Sequence, residues 1–458
     1  MADHFDAAVI GAGQAGPSLV NRLTQAGKTV AMIERGRFGG TCVNTGCMPT
    51  KTMVASAYAA RLVARGAEYG VIIEGKTTVD MARVKARKDK VSDTASMNVE
   101  NWLRGMPNCT IYRGSARLTS PTGVVVGSDS FTADMIFLDV GARPLVPKIP
   151  GIETVNVLTN LNVMDLDVVP SHLLILGGSY IGLEFAQMFR RFGADVTVIE
   201  AASRLLPRED DDISDAIRGI VEAEGIRIFT DAKCTALVKD GDVIIASVET
   251  PKGKSQVTAS HLLVSVGRVP NTDGLGLEAG GVAIDQRGFI QVNDFCQTSV
   301  PTIYAMGECN GRGNFTHTSF NDYEIVAANL LDGDKRKISD RILTYGLFID
   351  PPLGRIGMTE AEARKTGRKL LLGKRPMTHV GRAVEKGETQ GFMKVIVDAE
   401  TKKILGAAIL GTTGDEAVQC ITAIMYADVP YTVLQRAVLI HPTVSELIPT
   451  MLGEMKEM

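Results

Sequence analysis

An apolar strand, a glycine-punctuated turn and a helix follow one another twice in this 458-residue chain, and the recurrence restricts the fold more than any other feature. In the first unit Ala7-Ala8-Val9-Ile10 runs into Gly11-Ala12-Gly13-Gln14-Ala15-Gly16. A helical pattern from Ser18 to Ala26 and a strand from Thr29 to Ile33, closed by Glu34, complete it. In the second, Leu173 to Leu176 runs into Gly177-Gly178-Ser179-Tyr180-Ile181-Gly182, a helix reaches Phe192, and Val196 to Ile199 is closed by Glu200. Short apolar strands alternating with helices build parallel sheets. The spacing predicts an α/β chain with two Rossmann-like units.

In such a unit the middle glycine lets the backbone approach a pyrophosphate at the helix amino end. The last glycine allows close helix-strand packing, and the acid accepts from ribose hydroxyls. Gly13, Gly16 and Glu34 hold these places in the first unit, and Ser179, Gly182 and Glu200 in the second. Ser179 departs from glycine at the closest approach, but it is small and can donate a hydrogen bond. A carboxylate at Glu200 accepts from a 2′-hydroxyl and repels a 2′-phosphate, which favours NADH. Arg204 lies close enough in sequence to leave NADPH open. The blander reading of either turn is a glycine-rich bend in a parallel sheet.

The stretch Gly39 to Ser56, G-G-T-C-V-N-T-G-C-M-P-T-K-T-M-V-A-S, places Cys42 and Cys47 between a glycine pair and a helical segment. On an ideal helix rising ~1.5 Å per residue, positions so spaced lie at the edge of the ~7 Å Cα limit for a disulfide. A bridge therefore needs a distorted first turn, which Gly39, Gly40 and Gly46 permit. A helix amino end would also favour a thiolate. By itself the spacing favours two unpaired cysteines beside a turn over a bridge.

Composition excludes several classes. Hydrophobic residues make up 45% and charged residues 22%, ordinary for a globular protein with a large core. A net charge of -3 and the lack of a long basic run argue against nucleic acid and acidic membranes as partners. No apolar run reaches the ~18 residues of a membrane span, and the amino terminus lacks a signal pattern, so a cytoplasmic protein is expected. The seven cysteines are odd in number and mostly dispersed, which argues against a secreted disulfide framework. Any disulfide here is expected to be catalytic.

The cysteine string resembles the redox-active signature of the flavin-dependent pyridine nucleotide-disulfide oxidoreductases, the family of dihydrolipoamide dehydrogenase, glutathione reductase and mercuric reductase. Further motifs recur in the family's order over nearly the whole chain. Leu138-Asp139-Val140-Gly141-Ala142-Arg143-Pro144 resembles the segment leaving the flavin domain, and Val266-Gly267-Arg268-Val269-Pro270-Asn271-Thr272 the return to it. Ile303 to Glu308 resembles the second flavin motif, with Glu308 where aspartate is usual. Residues from about Ser339 onward resemble the dimerisation domain, which closes on His441-Pro442-Thr443-Val444-Ser445-Glu446.

The resemblance implies two Rossmann-like dinucleotide-binding domains, for FAD and NAD(P), and a C-terminal α+β dimerisation domain. Boundaries are expected at 1–150 (FAD, with the redox pair), 151–269 (NAD(P)), 270–338 (the FAD domain again) and 339–458 (dimerisation). It implies FAD contacts at Gly11, Gly13, Gly16, Glu34, Gly40, Thr41, Lys51, Gly141 and Glu308. NADH or NADPH contacts are implied at Gly177, Ser179, Tyr180, Gly182, Glu200 and Gly267. By the same resemblance Cys42 and Cys47 form the redox disulfide, Cys47 being the thiol nearer the flavin and Cys42 the one that attacks substrate. His441 would act as acid-base catalyst, oriented by Glu446, and would face the disulfide of the other subunit of a homodimer. Lys51 would pair with Glu184 near the flavin, although an ordinary buried ion pair reads the same two residues. Cys309 and Cys420 receive no role.

The electron acceptor implied is a small-molecule or protein disulfide, or a similar oxidant. The string from Glu200 to Asp212 and the segment Pro351 to Glu360 look most like mercuric-reductase-like flavoproteins linked to reactive chlorine and metal stress, so a mercuric or copper ion is the alternative acceptor. Mercuric reductases pass their ion through a terminal cysteine pair and commonly carry tyrosine where His441 stands; here Ile448 to Met458 contains no cysteine. A third reading is a flavin-loaded redox sensor that does not turn over.

Overall fold

The strand Asp3–Ile10, apolar from Ala7 to Ile10, runs parallel to both Val30–Glu34 and Asp129–Leu138. In the computed structural model, which describes residues 3–458, its side chains alternate between two cores. Ala7 and Val9 meet Leu19, Val20 and Leu23 of the helix Gly16–Gln25. Ala8 and Ile10 belong to a core with Val124, Phe131 and Leu275 on the other face. The sheet has seven strands, the last added when the distant Ile303–Ala305 pairs in parallel with Asp129–Leu138.

The second unit repeats the design. His172–Leu176 is parallel to Asp195–Ile199 and to His261–Val264 in a five-stranded sheet. Leu173 and Ile175 pack toward Leu183 and Phe189 of the helix Tyr180–Phe192, while Leu174 and Leu176 face Leu237, Ile244 and Val257 of a three-stranded antiparallel sheet. The two crossings between the units are tied together: Ala142–Pro144 and Arg268–Pro270 form an antiparallel ribbon.

The last part of the chain is a six-stranded sheet whose pairings are all antiparallel. Ile421, Ile448 and Met451 of its helices cover one face. The fold is thus α/β in its two nucleotide-type units and α+β at its carboxy-terminal end. The charged stretch after Asp80 forms the helix Met81–Arg104, capped where the Asp80 carboxylate accepts from the Arg83 amide at 3.1 Å. It is not uniformly solvated. Lys88 is buried on it, with Nζ 3.0 Å from Asp165 and 2.6 Å from Asp89.

Candidate active site

The two glycine turns share one close contact. A Cβ on Gly16 would stand 2.3 Å from the Gly11 carbonyl oxygen, and one on Gly182 2.0 Å from that of Gly177. These two glycines therefore serve helix-strand packing and do not line the cleft. Glu34 accepts from the amides of Ala12 at 2.8 Å and Gly36 at 2.7 Å. Glu200 accepts from those of Gly178 at 2.6 Å and Ala202 at 2.8 Å. Each acid is thereby fixed at the mouth of its turn. Arg204 is engaged elsewhere, in an ion pair with Asp211.

Both turns open into one cleft of about 2620 Å³. Gly11, Gly13, Glu34, Gly40, Thr41, Gly141 and Glu308 line its first half, and Gly177, Ser179, Tyr180, Glu200 and Gly267 its second. Cys42, Cys47, Lys51 and Glu184 lie on the same wall. The cysteine segment is held on the first turn by backbone contact, since a Cβ on Gly40 would fall 2.8 Å from the Gly13 Cα. Beneath the turn lies Asp139, whose carboxylate accepts from the Gly16 amide at 2.8 Å and whose pKa burial pushes up to about 8. The sequence placed Asp139 in the segment leaving the flavin domain but gave it no role of its own; a further signal is its position as an acid at the end of the apolar run Ile136-Phe137-Leu138.

Cys42 and Cys47 do not share one helix with a distorted first turn. Cys42 sits in the short helix Gly40–Asn44, the chain breaks at Thr45 and Gly46, and Cys47 begins the helix Cys47–Ala64. Both are free thiols in this structure. A hydrogen bond from Cys42 is the largest influence lowering the Cys47 pKa, which falls to about 6. The Thr316 hydroxyl, 3.1 Å from the sulfur of this exposed cysteine, and the Lys51 ammonium act in the same direction. The same sulfur-sulfur hydrogen bond, then burial, raises Cys42. The two shifts run in opposite directions and bias the pair toward a thiolate at Cys47 and a protonated thiol at Cys42. Thr316, the first residue of the helix Thr316–Leu331, lies far from the cysteines in sequence and was missed.

Lys51 Nζ is 2.8 Å from Glu184 and 4.3 Å from the centre of the Phe348 ring, and the Phe348 amide donates to the other Glu184 oxygen at 3.0 Å. The ion pair is thus fastened to the carboxy-terminal part of the chain. Glu308 is clamped by Arg268 at 2.6 Å, and Arg268 also donates to the Ala142 carbonyl at 2.6 Å, so the crossing ribbon and the acid form one unit. The neighbouring Cys309 is buried, its thiol pushed up to about 12 by burial, as an inert core cysteine would be.

His441 and Glu446 are brought together, with Nδ1 2.9 Å from Oε2 and 3.0 Å from Oε1, but they are not brought to the cysteines of the same chain. Neither lines the cleft. The His441 side chain is 79% exposed, and beside it Val438 and Ile440 are 99% and 79% exposed. Among the described residues no group of three or more His, Cys, Asp or Glu is arranged to hold a metal ion, and no helix is long and apolar enough to cross a membrane.

A fold of two dinucleotide turns facing one dithiol defines a nucleotide-dependent disulfide oxidoreductase. The family model described as pyridine nucleotide-disulphide oxidoreductase matches residues 5–322, and that of its dimerisation domain matches residues 344–452. The chain belongs to this family, whose enzymes use FAD and NAD(P)H. Over 451 residues it is 36% identical to the probable pyridine nucleotide-disulfide oxidoreductase RclA of Escherichia coli, covering 96% of this chain and 97% of that protein. It is 34% identical to dihydrolipoyl dehydrogenase of Rhizobium etli, over 97% of both chains. It is likewise 34% identical to mercuric reductase of Streptomyces lividans, over 92% of this chain and 90% of that one. The solved structure described as HOCl-induced flavoprotein disulfide reductase RclA from Escherichia coli aligns with a TM-score of 0.90 at 35% identity, over 98% of this chain and 99% of that one.

Proposed function

We propose that the protein moves electron pairs from NADH through FAD and the Cys42/Cys47 pair to a disulfide or similar oxidant, in a homodimer whose two active sites each use residues of both chains. The observation that carries this reading is the placement of Cys47: it opens a helix with the Thr316 hydroxyl 3.1 Å from its sulfur and Lys51 one turn along the same helix, and its pKa is lowered where that of Cys42 is raised.

FAD, when bound along the first turn, supplies the two-electron relay between nicotinamide and thiols. The glycine cradle at Gly13 and Gly40 and the preset Glu34 fit such a group. Cys47 holds its negative charge inside the cleft at neutral pH. Cys42, protonated at rest, must lose its proton before it can attack a substrate sulfur. His441 is the base that takes this proton and returns it to the leaving thiol, and Glu446 stabilises the imidazolium formed in between. Since His441 is exposed and does not line the cleft of its own chain, the cysteines it serves are those of the second chain. Glu200 and the engaged Arg204 support NADH over NADPH.

Steady NADH consumption with an added disulfide is the test, and a single stoichiometric reduction would contradict it in favour of a sensor. A second reading, a metal ion as acceptor at the same thiols, draws on the mercuric reductase relatives and on a solved Cu(II) complex of RclA that aligns at TM-score 0.90. Parallel assays with lipoamide, oxidised glutathione, Hg(II) and Cu(II) rank the two. Replacing Cys47 by Ser should abolish the long-wavelength absorbance of a thiolate against the flavin, and replacing Cys42 should preserve it. The opposite pattern would reverse the roles assigned to the thiols.

A further inference from the structure

Tyr180 is the first residue of the helix that springs from the second glycine turn, so its ring stands where that turn opens into the cleft. Two other rings cage it edge-on: Phe315 at 6.2 Å and Tyr345 at 5.5 Å between ring centres. Phe315 immediately precedes Thr316, whose hydroxyl touches Cys47. The Tyr180 ring therefore lies between the second dinucleotide turn and the segment that contacts the redox thiol.

What fixes the ring is not in either motif. The Tyr180 hydroxyl donates to Glu209 Oε1 at 3.1 Å, and the Tyr345 hydroxyl donates to the same oxygen at 2.6 Å. Burial first, and the Glu209 carboxylate after it, raise both phenols, so both stay protonated as donors. Glu209 is 4% exposed, and its other oxygen, Oε2, has no hydrogen-bond partner among the described residues. Oε2 faces Arg355 Nε at 3.6 Å, too long and without the alignment of a hydrogen bond. Arg355 is fully buried on the carboxy-terminal sheet, and its one hydrogen-bonded ion pair there is Nη2 with Asp210 at 3.0 Å. Lys394, on a nearby strand and equally buried, holds Asp210 at 2.8 Å and Asp212 at 2.7 Å. A carboxylate placed so deep, with half its capacity spent on two tyrosines and its charge offset by an arginine it does not bond, is poorly explained by stability alone. Burying such charges is at best neutral against an apolar replacement.

We propose that Glu209, which accepts from Tyr345 and faces Arg355 without bonding it, is a positioning residue that fixes the Tyr180 ring for the nicotinamide nucleotide, and so ties binding at the second turn to the carboxy-terminal domain. The proposal rests on the reading of that turn as the NAD(P)H site. Its chemistry is acceptor geometry. Two phenols converge on one oxygen, which pins the ring about its χ angles without touching the ligand itself. Loosening that oxygen should therefore weaken nucleotide binding and slow flavin reduction while leaving the thiol half of the reaction alone.

The test is a double-mutant cycle on the FAD-loaded dimer with Tyr180→Phe, Glu209→Gln and both changes together. Three quantities are measured: NAD⁺ affinity by calorimetry, the rate of flavin reduction by NADH in stopped flow, and the rate at which the reduced enzyme is reoxidised by a small disulfide. Removing a hydrogen bond to a charged group allows changes of about tenfold or more. Tyr180→Phe should weaken NAD⁺ binding and slow flavin reduction by about tenfold, with reoxidation unchanged. Glu209→Gln keeps an acceptor and should have the smaller effect, and in the Tyr180→Phe background it should add less than about twofold, the mark of two residues acting through one contact. Full, independent effects of the two changes, or equal slowing of both half-reactions by Glu209→Gln, would overturn the proposal by making Glu209 a structural residue. Should Glu209→Gln fail to fold, Tyr345→Phe removes the second donor and tests the same oxygen. Failure of the unmodified protein to bind NAD⁺ or to be reduced by NADH would instead strike the reading of the site, a distinguishable outcome.

Discussion

Cys47 is a residue whose charge is set by its neighbours. With its pKa lowered to about 6, the thiolate persists at neutral pH and is lost as pH falls through that value. The long-wavelength absorbance of the two-electron-reduced protein should therefore fade on acidification with a midpoint near the same value. Thr316→Val removes one hydrogen bond to the thiolate and should move that midpoint up by about one pH unit. A midpoint that stays put would mean that the helix amino end and Lys51 carry the stabilisation without Thr316. A second prediction at this scale concerns Glu200. The unmodified protein should show a higher kcat/KM with NADH than with NADPH, a tenfold ratio corresponding to ~1.4 kcal/mol, and Glu200→Ala should narrow the ratio. Equal use of both nucleotides by the unmodified protein would show that Glu200 does not discriminate between them.

At the scale of elements, the two strand-turn-helix units are the parts that the sequence made legible, and the reason is local. The contact of Gly16 with the Gly11 carbonyl, and of Gly182 with that of Gly177, is made within a handful of residues, so the constraint is written where it acts. Gly16→Ala should cost about 1–3 kcal/mol by overpacking and lower the flavin retained on purification, measured by absorbance. Gly219, exposed in the helix Asp211–Ala223 with nothing near its added Cβ, is the control. There Gly→Ala should be neutral or stabilising by about 0.5–1 kcal/mol. The rest of the site was not legible because its partners come from remote elements. Thr316, Phe348, Tyr345 and Arg268 reach the cysteines, Lys51–Glu184, Tyr180 and Glu308 only through tertiary packing. Nothing in Leu353-Gly354-Arg355-Ile356-Gly357 announces that its arginine is fully buried. The break at Thr45 and Gly46 was likewise invisible, because spacing alone does not distinguish one distorted helix from two.

At the scale of the whole molecule, the chain carries a dithiol in one cleft and its expected proton carrier on a different surface. His441 is aligned by Glu446 yet lies off the cleft, among exposed apolar side chains at the edge of the dimerisation domain. The proposed proton transfer accordingly requires two chains for each working site. Mixing two inactive variants, Cys47→Ser and His441→Ala, tests this most directly, under conditions in which subunit exchange is verified independently. By two-fold symmetry each mixed dimer has one site with both defects and one intact site. Random exchange makes about half the dimers mixed, so disulfide reductase activity should return to about a quarter of the unmodified level. If His441 served the cysteines of its own chain, every site in every dimer would carry a defect, and exchange without any recovery of activity would contradict the shared site.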